Sequence, residues 1–124
     1  MNKIICHSIE FVFVHEIESM SGQEVILKPG ADWKTIPSIE KPVYRSDSKQ
    51  NPAGTFTDQS LSAKTRHNPY FPLYIHANLY IILRIHTNEE VLTLGSIEYP
   101  FVTEVSSDKI QDDYSFKSQS PFFL

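Results

Sequence analysis

The chain has few of the residues on which small stapled folds and common active sites depend: one cysteine and four glycines among 124 residues. With Cys6 as the single thiol, no internal disulfide can form, and this is typical of proteins that fold in a reducing compartment. The glycines lie far apart, so the glycine-rich loop that binds phosphate groups is missing. The sequence also lacks a paired CxxC motif and a serine nucleophile elbow. A disulfide scaffold and a phosphate-binding loop are therefore excluded.

Basic charge and long apolar runs are also scarce. The chain carries 11 basic and 15 acidic residues, which gives a formal net charge of −4. Nucleic acids and anionic membranes attract basic surfaces, so we expect no nucleic acid and no membrane as partner. No apolar run approaches the length of a transmembrane helix, and the first residues lack the apolar stretch of a signal peptide. We therefore expect a cytoplasmic protein without a signal peptide or transmembrane segment.

Apolar residues, by contrast, are plentiful enough for a core. The chain is 40% hydrophobic and 12% aromatic, and its length is typical of one domain. We expect a single β domain over residues 1–124. Six of the eight prolines lie between Pro29 and Pro72, where central strands are disfavoured because proline donates no ladder hydrogen bond. This region, about 29–72, predicts a proline-rich loop, and its polar segment 45–54 predicts a mobile one.

The strongest pattern in the chain is an alternation of apolar and polar residues between positions 73 and 85. Every odd position is apolar, and this period of two predicts a strand with one buried face, on the order of 45 Å long. The apolar set is Leu73, Ile75, Ala77, Leu79, Ile81, Leu83 and Ile85. Residues 4–17 alternate in the same way and predict a second long strand, with its odd positions from Ile5 to Ile17 facing the core.

Turn residues near both long runs predict hairpins. Ser19–Gln23, which contains Gly22, predicts a turn with a short returning strand at Glu24–Lys28. A tight turn at Asn88-Glu89 would pair Ile85 with Leu92 and Leu83 with Leu94, and a bulge is expected at Gly95.

The remaining segments also favour strands. A strand is expected over Thr55–His67, and Tyr114 and Phe116 would share one strand face. No helix is supported, because unbroken alternation with isoleucine and tyrosine favours strand. The patterns predict an all-β fold, a single-domain antiparallel sandwich or partly open barrel with long bent strands, about six to eight in number.

Residues able to carry chemistry are dispersed. His7 and His15 share a predicted strand face but would lie roughly 26 Å apart, too far to bind one metal ion. Cys6 is next to His7 in a strand, so the two side chains point to opposite faces. The carboxylate pairs at 89–90 and 112–113 lie in predicted turns, where solvated acids are ordinary. We expect no catalysis, no cofactor and no metal, although a site built from one histidine on each of several strands stays open.

Several short motifs of the second half resemble a known group of proteins. The return strand contains Leu94-Gly95-Ser96 followed by Tyr99-Pro100, and the chain ends in Pro121-Phe122-Phe123-Leu124. Over about residues 24–124 the chain resembles small phage- or prophage-derived proteins of Bacteroidetes. This resemblance implies a non-enzymatic structural protein of virion assembly, a tail or head–tail joining (connector) component. It also implies a homo-oligomer that contacts other virion proteins and is located in the virion after assembly.

Two surfaces are candidates for such contacts, besides an exposed strand edge. The first is the mixed even face of the predicted 73–86 strand, whose aromatic, arginine and aliphatic side chains are common at interfaces. The second is the apolar tail, which either docks on its own core or inserts into a partner. The candidate interface residues are Tyr74, Tyr80, Ile82, Arg84, Phe122, Phe123 and Leu124.

A binding module is the alternative function. Tyr70, Phe71, Tyr74 and Tyr80 form an aromatic group, and aromatic rows can stack on sugar rings. A β-sandwich that holds a small ligand or carbohydrate between such residues would be a monomer with an aromatic pocket. An assembly protein would instead form a larger oligomer.

Overall fold

The structure is a computed structural model that describes residues 2–51 and 54–121. The described residues form eleven strands and one short helix, with a 3-10 turn at Val14–Glu16. The elements are β1 Asn2–Ile5, β2 Ser8–Phe13, β3 Ile17–Ser21, β4 Glu24–Leu27, β5 Lys34–Thr35, β6 Val43–Asn51, β7 Gly54–Arg66, α1 Pro72–Ile75, β8 Ile81–His86, β9 Val91–Leu94, β10 Val102–Ser107 and β11 Gln111–Pro121.

These strands form two large antiparallel sheets and a separate hairpin. The five-stranded sheet has the order β1-β6-β7-β11-β10, the four-stranded sheet has the order β5-β2-β8-β9, and β3 pairs with β4. The sheets pack together and are not closed. The predicted all-β sandwich is therefore confirmed. It has more strands than expected because residues 4–17 are divided among β1, β2 and the start of β3, and because β5, β6 and β10 lie in segments where no strand is predicted.

The main core lies between the two large sheets. Its side chains come from alternate positions of facing strands, as a period of two requires. They include Ile9, Phe11 and Phe13 of β2, Ile81, Leu83 and Ile85 of β8, Leu61 and Ala63 of β7, and Tyr114 and Phe116 of β11. The predicted shared face of Tyr114 and Phe116 is confirmed, since both are buried and their rings stack 6.1 Å apart.

A second, smaller core covers the other face of the four-stranded sheet. Val12 and Ile82 are fully buried there beside Ile17. Side chains of the β3–β4 hairpin and Trp33 pack over them. Strand β8 is therefore buried on both faces, which explains why Ile81, Ile82 and Leu83 are apolar in succession.

The single strand predicted over residues 73–85 is wrong in its first half. Pro72 opens helix α1, where its fixed φ and missing N–H are compatible with a first turn. Leu73 is buried but Ile75 is 54% exposed, and the strand begins only at Ile81. The alternation before Ile81 belongs to a helical turn and a loop that carry the chain from one sheet to the other.

The strand predicted over residues 4–17 is likewise divided. β1 belongs to the five-stranded sheet and β2 to the four-stranded sheet, so the chain changes sheet at the buried Cys6. Ile9, Phe11, Phe13 and Ile17 are buried as predicted, whereas Ile5 is 58% exposed. His7 and His15 are exposed as well.

Most of the loop predicted at 45–54 is strand instead, and its mobility stays a prediction. β6 continues to Asn51 and pairs with β7 from Val43↔Ser62 to Asn51↔Gly54. β7 pairs with β11 on its other side as far as Phe56↔Pro121. Backbone hydrogen bonds to β7 hold residues 45–51 in a strand, and β11 supports β7 from its other side. Within the proline-rich region the strand expected at Thr55–His67 is confirmed as β7, and residues 52 and 53 lie outside the described residues.

Both predicted hairpins are confirmed. β3 and β4 pair across Gly22, and β8 and β9 pair with the predicted partners, Leu83↔Leu94 and Ile85↔Leu92. The bulge expected at Gly95 is instead the end of β9, where the chain turns with a φ of 87°. A Cβ at this position would lie 3.0 Å from the Phe101 ring, so glycine is required there for two reasons.

Candidate functional site

The outer edge of β10 is the candidate functional site. β10 is the last strand of the five-stranded sheet and pairs only with β11 among residues 2–51 and 54–121. Val102 is 48% exposed on this strand, and Glu104 and Ser106 are also exposed. An edge strand with unpaired N–H and C=O groups is a template for a further strand.

The hairpin turn fixes which residues of β10 present their backbone to solvent. Asp108 donates its amide hydrogen to the Gln111 carbonyl at 3.2 Å, so this pair is hydrogen-bonded and the pairing alternates from there. Ser106, Glu104 and Val102 consequently bond to β11. The backbone groups of Thr103, Val105 and Ser107 face outward, while the Thr103 and Val105 side chains lie on the core face opposite Phe116 and Tyr114.

The other edges of the large sheets are shorter, and one of them is blocked. β5 has two residues, and β1 and β9 have four each, against six in β10. At β9, the Gln23 side chain accepts a hydrogen bond from the Thr93 amide at 2.6 Å and donates one to the Thr93 carbonyl at 2.9 Å. Gln23 thus occupies the place of a neighbouring strand at that position.

A buried carboxylate holds the end of β10. The Asp112 side chain is fully buried and lies 2.9 Å from His67 Nδ1, and it accepts a hydrogen bond from the Asn68 amide at 3.2 Å. Burial opposes its ionisation, but the hydrogen bonds from Ser107, His67 and Asn68 outweigh this effect and lower the pKa of Asp112 below its usual value. Residues from the ends of β7, β10 and β11 are thereby joined at one point.

This group has the residue types of a catalytic triad but a different geometry. Ser107 Oγ lies 3.3 Å from His67 Nδ1, the same ring nitrogen that contacts Asp112. In a triad the hydroxyl and the carboxylate contact opposite nitrogens of the imidazole. Ser107 Oγ also accepts a hydrogen bond from the Lys109 amide. These contacts join the β10–β11 turn to the segment that follows β7.

A second ionic group lies on the four-stranded sheet. Arg84 donates to Glu10 at 2.9 Å and stacks on the Trp33 ring at 4.3 Å, and His86 also contacts Glu10. Burial opposes ionisation of Glu10, but its bonds to His86 and Arg84 lower its pKa overall. No group of three or more histidine, cysteine or acidic residues that could hold a metal occurs in the described parts of the chain.

The structure separates the residues of the predicted even face. Tyr74 lies on α1 with its ring steeply inclined to the His67 ring, 5.5 Å away, and Tyr80 is 57% exposed in the loop before β8. Ile82 is fully buried in the small core and cannot form a surface contact. Arg84 is engaged by Glu10 and Trp33. Only Ile82 and Arg84 share the even face of β8, so no single strand face joins the four residues. Phe122, Phe123 and Leu124 lie outside the described residues.

A shallow cleft of about 380 Å³ crosses the outer face of the five-stranded sheet beside β10. The exposed surface of its lining is largely apolar, although most of the lining residues are polar and carry both signs of charge: Lys41, Lys64, Glu40, Glu104, Asp113, Ser62, Ser106 and Ser115. Tyr114 is the one aromatic residue among the described residues of this lining, and its ring is stacked on Phe116 in the core. The aromatic group predicted to hold a ligand is therefore not in this cleft.

Sequence reasoning missed β10 altogether. The signal was weak: Val102, Thr103 and Val105 favour a strand, and the Ser-Asp-Lys segment at 107–109 favours a turn. The exposed position of the strand at a sheet edge depends on pairing between distant segments. The spacing of the sequence does not reveal it.

Comparisons with known proteins give no identification. No protein-family model, curated protein or solved structure matches this chain. Among the helices of the described residues, none is long and apolar enough to cross a membrane. The edge strand β10 and the surfaces around it are therefore the features from which a function can be inferred.

Proposed function

We propose that this protein is a non-enzymatic structural component of a phage or prophage particle, acting in a tail or connector through self-association. The observation that carries the proposal is the unpaired backbone of β10, the longest edge strand of the two large sheets in the described part of the chain. Strand addition at such an edge joins protein copies without a deep pocket or a catalytic group. The sequence resemblance to phage-derived proteins supports the same function.

The long three-stranded unit of β6, β7 and β11 also supports an assembly role. β7 has 13 residues and β11 has 11, and their pairing continues from Arg66↔Gln111 to Phe56↔Pro121. The described outer segment of this unit is polar, with Asp47, Asp58, Gln59, Lys117 and Gln119 around a second shallow cleft. Extended polar strand surfaces of this kind suit contacts between the copies of a ring or tube.

The oligomeric mass of the untagged full-length protein tests this proposal. Analytical ultracentrifugation over a wide concentration range should give a mass of more than one chain, and mass spectrometry should detect the protein in purified particles. A protein that stays monomeric at the highest concentration and is missing from particles would overturn it.

A small-ligand or carbohydrate-binding module is the second candidate function, and the cleft beside β10 is the observation that favours it. Serine hydroxyls and carboxylates can donate to and accept from sugar hydroxyls. NMR titration with a panel of oligosaccharides should then shift the amide signals of Ser62, Ser106 and Ser115. Unchanged spectra with a monomeric protein would contradict both candidates.

A further inference from the structure

We infer that β10 pairs with β10 of a second copy of this chain, antiparallel about a two-fold axis at Val105. This inference rests on the proposed self-association and names its contact. The resulting five-stranded sheets of two copies would join into one continuous sheet. β1 of each copy would remain at the two outer edges, where further contacts could form.

The backbone pattern of β10 restricts the possible registers. Thr103, Val105 and Ser107 carry the outward N–H and C=O groups, so these residues must face one another in an antiparallel pair. A two-fold axis therefore passes through an odd position or midway between odd positions. Within the strand, the axis can lie at any position from Thr103 to Ser107, but an axis at Thr103 or at Ser107 would pair at most three residues of each strand.

Side-chain charge then favours the axis at Val105. With the axis at Glu104, the two Glu104 carboxylates would lie directly opposite each other, with Cα atoms about 4.5 Å apart, and like charges in that position are destabilising. With the axis at Ser106, only three residues of each strand would pair. With the axis at Val105, residues 103–107 of both strands pair, and Glu104 lies opposite Ser106 of the second copy.

The core-facing side chains agree with this register. Val105 is half-buried and packs against the main core, so two Val105 side chains at the axis would extend that core across the contact. Thr103 is 6% exposed, and its Oγ1 has no hydrogen-bond partner among the described residues. The register places Ser107 of the second copy opposite Thr103, so two small side chains without charge meet there.

Engineered disulfides test the register directly. Glu104 and Ser106 of the second copy would form a non-hydrogen-bonded pair, whose short Cα separation permits a disulfide. Cys6 is buried, so new surface thiols would react selectively. Under mild oxidation, a mixture of Glu104→Cys chains and Ser106→Cys chains should give a linked dimer, whereas neither variant alone should. A linked dimer from Glu104→Cys alone or from Ser106→Cys alone would overturn the axis at Val105.

Charge substitutions test the contact without cross-linking. Ser106→Glu would face Glu104 of the second copy twice per dimer, so the dissociation constant should rise about tenfold. Adding Glu104→Lys to Ser106→Glu should restore the wild-type dissociation constant or lower it. Ser62→Glu on the exposed outer face of β7 makes the same charge change away from the contact and should have no effect.

The outcomes separate this inference from the proposed function. An oligomeric wild type whose mass is unchanged by Ser106→Glu, and whose cysteine mixture stays unlinked, would overturn the β10 contact and leave the assembly proposal standing. A wild type that is monomeric at every concentration would overturn the β10 contact, and its absence from purified particles would then overturn the assembly proposal as well. Circular dichroism of each variant should match the wild type, since residues 104 and 106 are exposed.

Discussion

At the residue scale, Lys109 has the clearest local strain. It is the one non-glycine residue with a positive φ among those described, at 70°, in the turn between β10 and β11. L-residues other than glycine are disfavoured there. Lys109→Gly should raise the free energy of unfolding by about 0.5–1 kcal/mol in urea denaturation. Lys109→Ala should give no such gain. If the two variants were equally stable, the positive φ at position 109 would not be a source of strain.

The buried carboxylate of Asp112 should make stability depend on pH. Its pKa is lowered in the folded protein, so its stabilising effect is complete above the unfolded-state pKa and is lost as the pH falls through the folded value. Asp112→Asn should destabilise the protein by about 1–3 kcal/mol at pH 7. The difference in unfolding free energy between this variant and the wild type, measured by urea denaturation, should become smaller below about pH 4.

Asp113→Asn is the matched control for that experiment. Asp113 is the next residue of β11 and is exposed, so its substitution should change stability little at any pH. If the loss of unfolding free energy in Asp112→Asn stayed constant from pH 7 to pH 3, the ionised carboxylate of Asp112 would not be the cause of the destabilisation.

At the element scale, β8 is buried on both faces, whereas the predicted long strand would have one face exposed to solvent. Ile82 is fully buried and Tyr80 is 57% exposed, although both occupy even positions. Ile82→Ala should cost about 2–5 kcal/mol of unfolding free energy, as should Ile81→Ala, and Tyr80→Ala should cost much less. If chemical denaturation showed the same small loss of unfolding free energy for Ile82→Ala and Tyr80→Ala, then the β3–β4 hairpin would not cover β8.

The β3–β4 hairpin should depend on Gln23 for its attachment. The Gln23 side chain makes two hydrogen bonds to the backbone of Thr93, while the Thr93 hydroxyl bonds to the Gln23 carbonyl. Gln23→Ala should cost about 1 kcal/mol and speed hydrogen exchange of the Thr93 amide. Glu24→Ala, at the exposed neighbouring position, is the control and should leave that exchange rate unchanged.

At the scale of the whole molecule, Cys6 reports whether the two large sheets stay together. It is fully buried where the chain passes from β1 to β2, and burial raises the pKa of its thiol. Because it is the only cysteine in the chain, alkylation gives one unambiguous signal. Labelling should be slow in the native protein and should rise with the same urea midpoint as the loss of the circular dichroism signal. Rapid labelling without denaturant would contradict a closed core at this position.

The sequence by itself determined the strand class and the local pairings. The period of two in β2 and β8 identified Ile9, Phe11, Leu83 and Ile85 as core residues, because alternate side chains of a strand always point to the same face. The β8–β9 register also followed from local features, since a two-residue turn and four apolar residues restrict the pairing. These features depend on near neighbours in the chain.

Only the tertiary structure decided where each run breaks, which faces are covered and which edge is open. The alternation at 73–79 folds as a helix and a loop because the chain must cross between sheets. Ile82 is buried because a distant hairpin covers it. The polar residues of β6 are strand because β7 supplies hydrogen bonds along its length. The candidate interface at β10 depends on the strand order of the five-stranded sheet, and that order is set by contacts between residues far apart in sequence.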